Sequence, residues 1–289
     1  MKKNYLASPI AANTAQGELR PGDLTEVEHH HDFHELVLIG KGTAQHFIDG
    51  QSFNVKEGDV FLIQPNQSHF FRNRVQMQHI NIAFDMDQLG QFHHPMQSSL
   101  LQSPGFHALF LLDPNLRANS NNISQLQLSP PQLSTAREIF HKIIHEQEHP
   151  CHTTNFAIFL LFQQLILLLT KAYEKLETPR GTSLLDLAEV ISYIEQHYSQ
   201  NIHLDDLCKK ACMSRSTFMR KFKKATGSSP VDYLNRTRIH AAQGLLKNPN
   251  LSIADISFRV GFDDSNYFSR IFRRLTGVSA REYRATHLT

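Results

Sequence analysis

The sequence predicts a two-domain chain: an N-terminal all-β barrel with following helices, and a C-terminal all-α domain. Three observations predict it. Hydrophobic periodicity changes from two to 3.6 partway along the chain. Charge is split unevenly, with 16 Lys+Arg against 7 Asp+Glu from His203 to Thr289 and 13 against 20 in the remainder, beneath a net charge of only +2. A pattern of aromatic and small residues in the basic third occurs twice. A composition of 40% hydrophobic and 19% charged residues over 289 positions supplies enough apolar material for two cores and excludes wholesale disorder.

From Pro21 to Asp85 the chain reads as β. Short apolar runs, Glu35–Ile39, Gln45–Ile48 and Val60–Ile63, are separated by Gly40-Lys41-Gly42, Asp49-Gly50, Glu57-Gly58-Asp59 and Gln64-Pro65-Asn66, all of turn composition. Closely spaced antiparallel strands of this kind close into a small barrel or jelly roll. Between Phe92 and Pro131, Gln, Ser, Asn and Pro dominate, around an apolar island at His107–Leu112, and the reading is loops over the barrel.

Helical spacing then takes over. Leu133, Ile139, Ile143 and Ile144 stripe one helix, and Phe156, Leu160, Leu161, Leu165 and Leu168 stripe another. The run Phe156–Leu169, interrupted by Gln163-Gln164, reads as too short and too polar to span a bilayer. Glu174 to Gly181, with Thr178-Pro179-Arg180-Gly181, breaks the pattern and reads as an interdomain linker. After it, Ser183-x-x-Asp186 and Ser252-x-x-Asp255 resemble capping boxes, and Ser229-Pro230 places an N-cap before a proline. The expected boundaries are a barrel over 1–130, a helical segment over 131–175, a linker over 176–182 and the basic domain over 183–289.

In that domain Phe218, Arg220, Phe222, Thr226, Gly227, Ser229 and Tyr233 recur fifty residues later as Phe268, Arg270, Phe272, Thr276, Gly277, Ser279 and Tyr283. Upstream the offset is 49, since Leu204, Leu207 and Ala211 match Ile253, Ile256 and Val260, so one residue is inserted in the second turn. A short helix, a tight turn and a second helix, occurring twice, outline two helix-turn-helix units at about 203–227 and 252–277. Phe218 and Phe222 should plug the first core, leaving Ser216, Met219, Arg220 and Lys223 on the outer face. Phe268 and Phe272 do the same in the second, leaving Asn266, Arg270 and Arg273. Arginine can bridge guanine O6 and N7, and asparagine can bridge adenine N6 and N7, so both faces suit base reading in double-stranded DNA. Lys221, Lys224 and Arg274 are placed for phosphate contacts. A single charged face could equally be a solvated helix surface; two copies in one frame favour DNA.

The stretch from Ile253 through Val260-Gly261-Phe262-Asp263-Asp264-Ser265-Asn266-Tyr267-Phe268-Ser269-Arg270 to Gly277 resembles the signature of the AraC-type transcription regulators, and the resemblance covers about a hundred residues from Ser183. It implies two recognition helices in successive major grooves, with Ser216, Met219 and Arg220 reading bases in the first unit and Asn266 and Arg270 in the second. The family's usual proline after Gly277 is replaced by Ser279-Ala280.

The sharpest chemistry of the N-terminal part is Glu28-His29-His30-His31-Asp32-Phe33-His34-Glu35. On a strand His29, His31, Phe33 and Glu35 share one face. His29-x-His31-x3-Glu35, followed by His69-x3-Asn73, resembles the two motifs of the cupin barrels, some of which hold a metal; the second motif is one residue short and has Gln67 where a glycine is usual. AraC-type regulators with such a barrel use it for a small effector, usually a sugar, and the string His29–Glu35 looks most like the rhamnose-responsive activators. The resemblance therefore implies effector contacts at His29, His31, Phe33, Glu35 and His69. No cofactor is expected, and the alternative is a metal held by His29, His31, Glu35 and His69.

Hydrolase, P-loop and dinucleotide-binding signatures are missing, and Cys151, Cys208 and Cys212 lack zinc-ribbon spacing, so no enzyme is expected. Cys208 and Cys212 suit core packing. An odd cysteine count and a start without an apolar leader point to the cytoplasm. The expected protein is an effector-responsive regulator of a carbohydrate-use operon, homodimeric through the 131–175 helices, meeting RNA polymerase if it activates, and with no membrane partner. The rivals are a metal-dependent cupin enzyme or metal sensor carrying a DNA-binding domain, and a regulator with no effector.

Overall fold

The computed structural model describes residues 2–3, 10–15, 27–85, 100, 102–114, 126–176 and 179–287, in two compact units that divide between Leu185 and Asp186. In the first unit the strands are β1 (Lys2–Lys3), β2 (Ile10–Ala15), β3 (His30–His31), β4 (His34–Ile48), β5 (Gln51–Lys56), β6 (Asp59–Ile63), β7 (His69–Phe84) and β8 (Leu126–Gln127). Six of them form one sheet in the order β2-β7-β4-β6-β8, with β5 on β4, and the strand-rich domain is a half-barrel.

β4 and β7 are the long axis of this sheet. They pair antiparallel from His34↔Phe84 to Ile48↔His69, with register shifts between Ile39 and Gln45. On its other edge β4 pairs Glu35–Leu38 with β6 and Thr43–Ile48 with β5, so it changes partner where the register slips. Gly40-Lys41-Gly42 is therefore a bulged bend inside one strand, not the turn expected from its composition. Gly42 has φ of 76°, and a Cβ there would lie 2.3 Å from the Val75 carbonyl oxygen. We expect Gly42→Ala to destabilise the domain by about 2 kcal/mol or more, read as a shifted urea midpoint, because both the backbone region and the space forbid a side chain. Asp49-Gly50 behaves as read: φ of 47° and 77° make the tight hairpin turn between β4 and β5. Inside the curve Val37, Ile39, Ile48, Phe53, Val55, Phe61, Ile63, Phe71 and Met77 form a continuous apolar core.

The island His107–Leu112 is a buried π-helical segment continuing from α1 (Pro104–Phe106), not a loop. α2 (Pro130–Glu148) buries Leu133, Ala136, Ile139, Phe140 and Ile143, close to the predicted stripe. α3 (Thr154–Glu174) departs from it. Ile158, Phe159, Phe162, Leu165, Ile166 and Leu169 are buried, whereas Phe156 and Leu160 are 59% and 51% exposed. The helix is apolar almost all round, so periodicity alone could not choose its face. It is also longer than expected and, by length and composition alone, sufficient to cross a membrane, but its inner face packs on α1, α2 and β2.

The next helix, α4 (Pro179–His197), starts within the segment expected to be a linker. Proline at the first helical position is a start signal rather than a break, and Ser183 stands inside the helix instead of capping it. The second unit continues with α5 (Leu204–Lys210), α6 (Arg215–Thr226), α7 (Pro230–Leu246), α8 (Ile253–Arg259), α9 (Ser265–Thr276) and α10 (Ala280–His287). Ser229 caps α7 ahead of Pro230, and Ser252 with Asp255 forms a capping box on α8. α7 packs against α6, α8, α9 and α10.

Candidate functional site

The duplicated sequence makes duplicated geometry. In α6 Phe218 and Phe222 are fully buried, and in α9 Phe268 and Phe272 are. Tyr233 stands edge-on to Phe222, and Tyr283 edge-on to Phe272, each with ring centroids 5.7 Å apart. Thr226 Oγ1 donates to the Phe222 carbonyl at 2.8 Å, and Thr276 Oγ1 donates to that of Phe272 at 2.8 Å. Each helix ends on a left-handed glycine, Gly227 with φ of 72° and Gly277 with φ of 81°. The inserted residue lies in the second turn, after Gly261, whose φ of 94° faces the Tyr198 carbonyl too closely for a Cβ; Cys212 holds the matching left-handed position in the first.

Burying the phenylalanines turns the opposite faces outward. On α6, Ser216, Arg220, Lys223 and Lys224 are exposed, while Met219 and Lys221 are half-buried. On α9, Asn266, Arg270, Arg273 and Arg274 are exposed. Neither helix carries an acidic residue, so each presents an unbroken cationic face. Two of the expected phosphate contacts are less simply placed. Lys221 occupies the position matched by buried Ile271, at the edge of the core. Arg274 reaches Asp232 on α7 at 3.3 Å, an exposed pair worth at most about 1 kcal/mol that a phosphate could displace. One neighbour escaped sequence reading: the Arg270 guanidinium lies over the Tyr267 ring at 5.6 Å, and the Tyr267 hydroxyl accepts from buried Asn235 Nδ2 at 3.2 Å. The i, i+3 spacing was its only signal.

In the half-barrel the histidine string folds into a buried polar cluster. The chain bends at Asp32-Phe33 between β3 and β4, a bridge pairs His29 with His69, and the β4–β7 ladder sets Asn81 opposite Val37, two residues from Glu35. Glu35 Oε2 lies 3.4 Å from His31 Nε2 and 3.3 Å from His69 Nε2. His31 Nδ1 donates to the Phe33 carbonyl at 2.7 Å, and the Phe33 ring stacks on His31 at 4.2 Å. His29 stands one ring further out, its centroid 4.4 Å from that of His69 and 6.5 Å from that of His31, with Nδ1 donating to the Val27 carbonyl. All five expected effector residues are thus in one neighbourhood, but only His31, Glu35 and His69 converge.

Sequence reading missed two members. Asn81 Nδ2 donates to Glu35 Oε1 at 2.9 Å, and fully buried His46 lies 3.5 Å from His69 across Nε2 and Nδ1. Only the β4–β7 register could have found them. Burial by itself would raise the Glu35 carboxyl, but contact with His31 and the charges of His69, His31 and His29 outweigh it and hold the group below its usual range. Burial drives His69 well below the ordinary imidazole value despite the nearby carboxylate. An ionised carboxylate beside a neutral imidazole results.

Residues 20–137 match the family model described as the AraC-like ligand binding domain, and residues 207–286 match a helix-turn-helix domain. The HTH-type transcriptional activator RhaS of Escherichia coli O1:K1 is 28% identical over 257 residues, covering 89% of this chain and 87% of that protein. Among solved structures, the DNA-binding domain of AdpA in complex with a target DNA is 35% identical over 35% of this chain and 92% of its own, with a TM-score of 0.34. ToxT from Vibrio cholerae is 13% identical over 96% of this chain and 98% of its own, with a TM-score of 0.36. With a matching ligand-binding model ahead of a matching helix-turn-helix model, the chain belongs to the AraC-type family of DNA-binding transcription regulators.

Proposed function

We propose that this regulator is an activator of carbohydrate use that responds to a small polyhydroxylated effector. The observation that carries the DNA-reading half is the pair of outward cationic faces on α6 and α9, repeated in one frame. Arg220 and Arg270 read bases, with Ser216, Met219, Lys223, Asn266 and Arg273 beside them and Lys221, Lys224 and Arg274 toward phosphate. The similarity to RhaS, named as a transcriptional activator, supports the sign of regulation and the sugar class, and an activator meets RNA polymerase.

The effector occupies the pocket of His29, His31, Phe33, Glu35 and His69, where imidazoles and a carboxylate offer directional partners for hydroxyls. Two chains pair through α2 and α3, whose outer face exposes Phe156, Leu160 and Leu167, and the dimer works in the cytoplasm. Effector binding regulates by favouring one arrangement of the DNA-binding units. The enzyme reading gains nothing, because the relatives are regulators.

A thermal-shift screen of the full chain against a sugar panel tests this reading. One sugar at a hundred times its dissociation constant should add about 2.7 kcal/mol of stability. Glu35→Ala should remove that response while leaving operator affinity without effector unchanged. A panel with no stabilising sugar, or a Glu35→Ala protein that still responds, contradicts the effector assignment.

A further inference from the structure

Arg220 and Arg270 hold matching positions in the two units but not matching surroundings. Three residues before Arg270 the chain has Tyr267, and three before Arg220 it has Thr217. On α9 that spacing puts both side chains on one face, and the Arg270 guanidinium lies over the Tyr267 ring, 5.6 Å from its centroid. On α6 the matching position offers Arg220 no ring.

The tyrosine is itself anchored, although 36% of it is exposed. Its hydroxyl accepts at 3.2 Å from Nδ2 of Asn235, a residue of α7 that is only 3% exposed. Water would satisfy an exposed phenol equally well, so the effect of this bond is on where the ring stands. The ring also rests on that of Phe262, buried in the second unit's core, with centroids 5.9 Å apart. Phe262 in turn lies beneath the Arg238 guanidinium at 5.4 Å, and Arg238 Nε donates to the Tyr198 carbonyl at 2.7 Å. A chain of contacts thus runs from α7 and the core to the outer face of α9.

An unrestrained arginine has many rotamers and gives up that freedom when it docks on a base. A ring face attracts the guanidinium through its charge, so the N–H fork stays available for O6 and N7 of guanine. We propose that Tyr267, set by Asn235, is a positioning residue that presents Arg270 to its base pair before DNA arrives, and that the first unit has no counterpart. The proposal rests on base reading by Arg270. It places one determinant of that arginine's discrimination on α7, away from the DNA.

The experiment compares full-length variants by gel shift at fixed salt on three duplexes. These are the operator selected by the parent, that operator altered at the base pair whose preference Arg270→Ala relaxes, and that operator altered at the pair Arg220→Ala relaxes. Tyr267→Leu should reduce discrimination at the Arg270 pair about two- to fivefold, the range of an exposed cation–π contact. It should leave discrimination at the Arg220 pair and affinity for random DNA unchanged. Tyr267→Phe, which keeps the ring but frees it from Asn235, should fall between Tyr267→Leu and the parent. In an Arg270→Ala background Tyr267→Leu should have no further effect, since nothing is left to position. Should Tyr267→Leu fail to fold, Tyr267→Gln removes the ring and keeps a polar group for Asn235. Equal loss at both base pairs, an undiminished effect in the Arg270→Ala background, or full discrimination without the ring overturns the proposal while Arg270 still reads a base. Parental discrimination in Tyr267→Phe overturns the part given to Asn235. If Arg270→Ala relaxes no base pair, the base reading falls and the positioning with it.

Discussion

Arg220→Ala and Arg270→Ala should each weaken binding to a specific operator by about 1–3 kcal/mol and relax base preference at one position each. The expectation follows from burial. Phe218 and Phe222 fix the rotation of α6, Phe268 and Phe272 fix that of α9, and each arginine then lies on the face away from its phenylalanines. Neither guanidinium belongs to a core, so melting of the variants should match that of the parent. Lys224→Ala should act differently, weakening all sequences alike and lowering the salt slope by about one. Gel shifts at fixed salt, with binding sites selected from a random pool, separate the two effects. The assigned faces are wrong if both arginine variants select the parental sequence with parental affinity.

The second large effect is on folding. Phe272→Ala should cost about 3–5 kcal/mol, because the ring is fully buried in a cluster with Ile239, Leu246, Ile256 and Phe268, against which Tyr283 packs. That is a large part of a typical domain's stability of about 5–15 kcal/mol. Phe222→Ala should behave similarly in the first unit, where Tyr233 loses its edge-on partner. Phe258→Ala is the contrast: its side chain is 58% exposed, and the cost should stay below about 0.5 kcal/mol. Urea denaturation of the three variants measures this. Equal losses for Phe258 and Phe272 would contradict the core assignment.

Legibility in the sequence followed the strength of local constraints. The tandem units could be read because a buried phenylalanine pair, a capping serine, a left-handed glycine and a threonine closing the core helix each leave a mark at a fixed offset, and all occur twice. The β region was legible as strands, but not in its lengths. Gly40 and Gly42 have turn composition, and only pairing with β7 shows that they bend one strand instead of ending it. The outer face of α3 was misread because a helix apolar on every side has no distinguishing period. In the pocket, His29, His31, Phe33 and Glu35 announced themselves by spacing along one segment. Asn81 and His46 did not, since each joins through cross-strand register. The start of α4 was hidden by Thr178-Pro179, which reads equally as a break and as a first turn.

The central claim, that two cationic helices of one chain read adjacent turns of DNA, is tested most directly by methylation interference on a selected operator. The account expects guanines whose methylation blocks binding in two groups on one face of the duplex for each bound chain, about 10 base pairs apart, with one group lost in Arg220→Ala and the other in Arg270→Ala. A single group per chain, or two groups that both survive both substitutions, would contradict it.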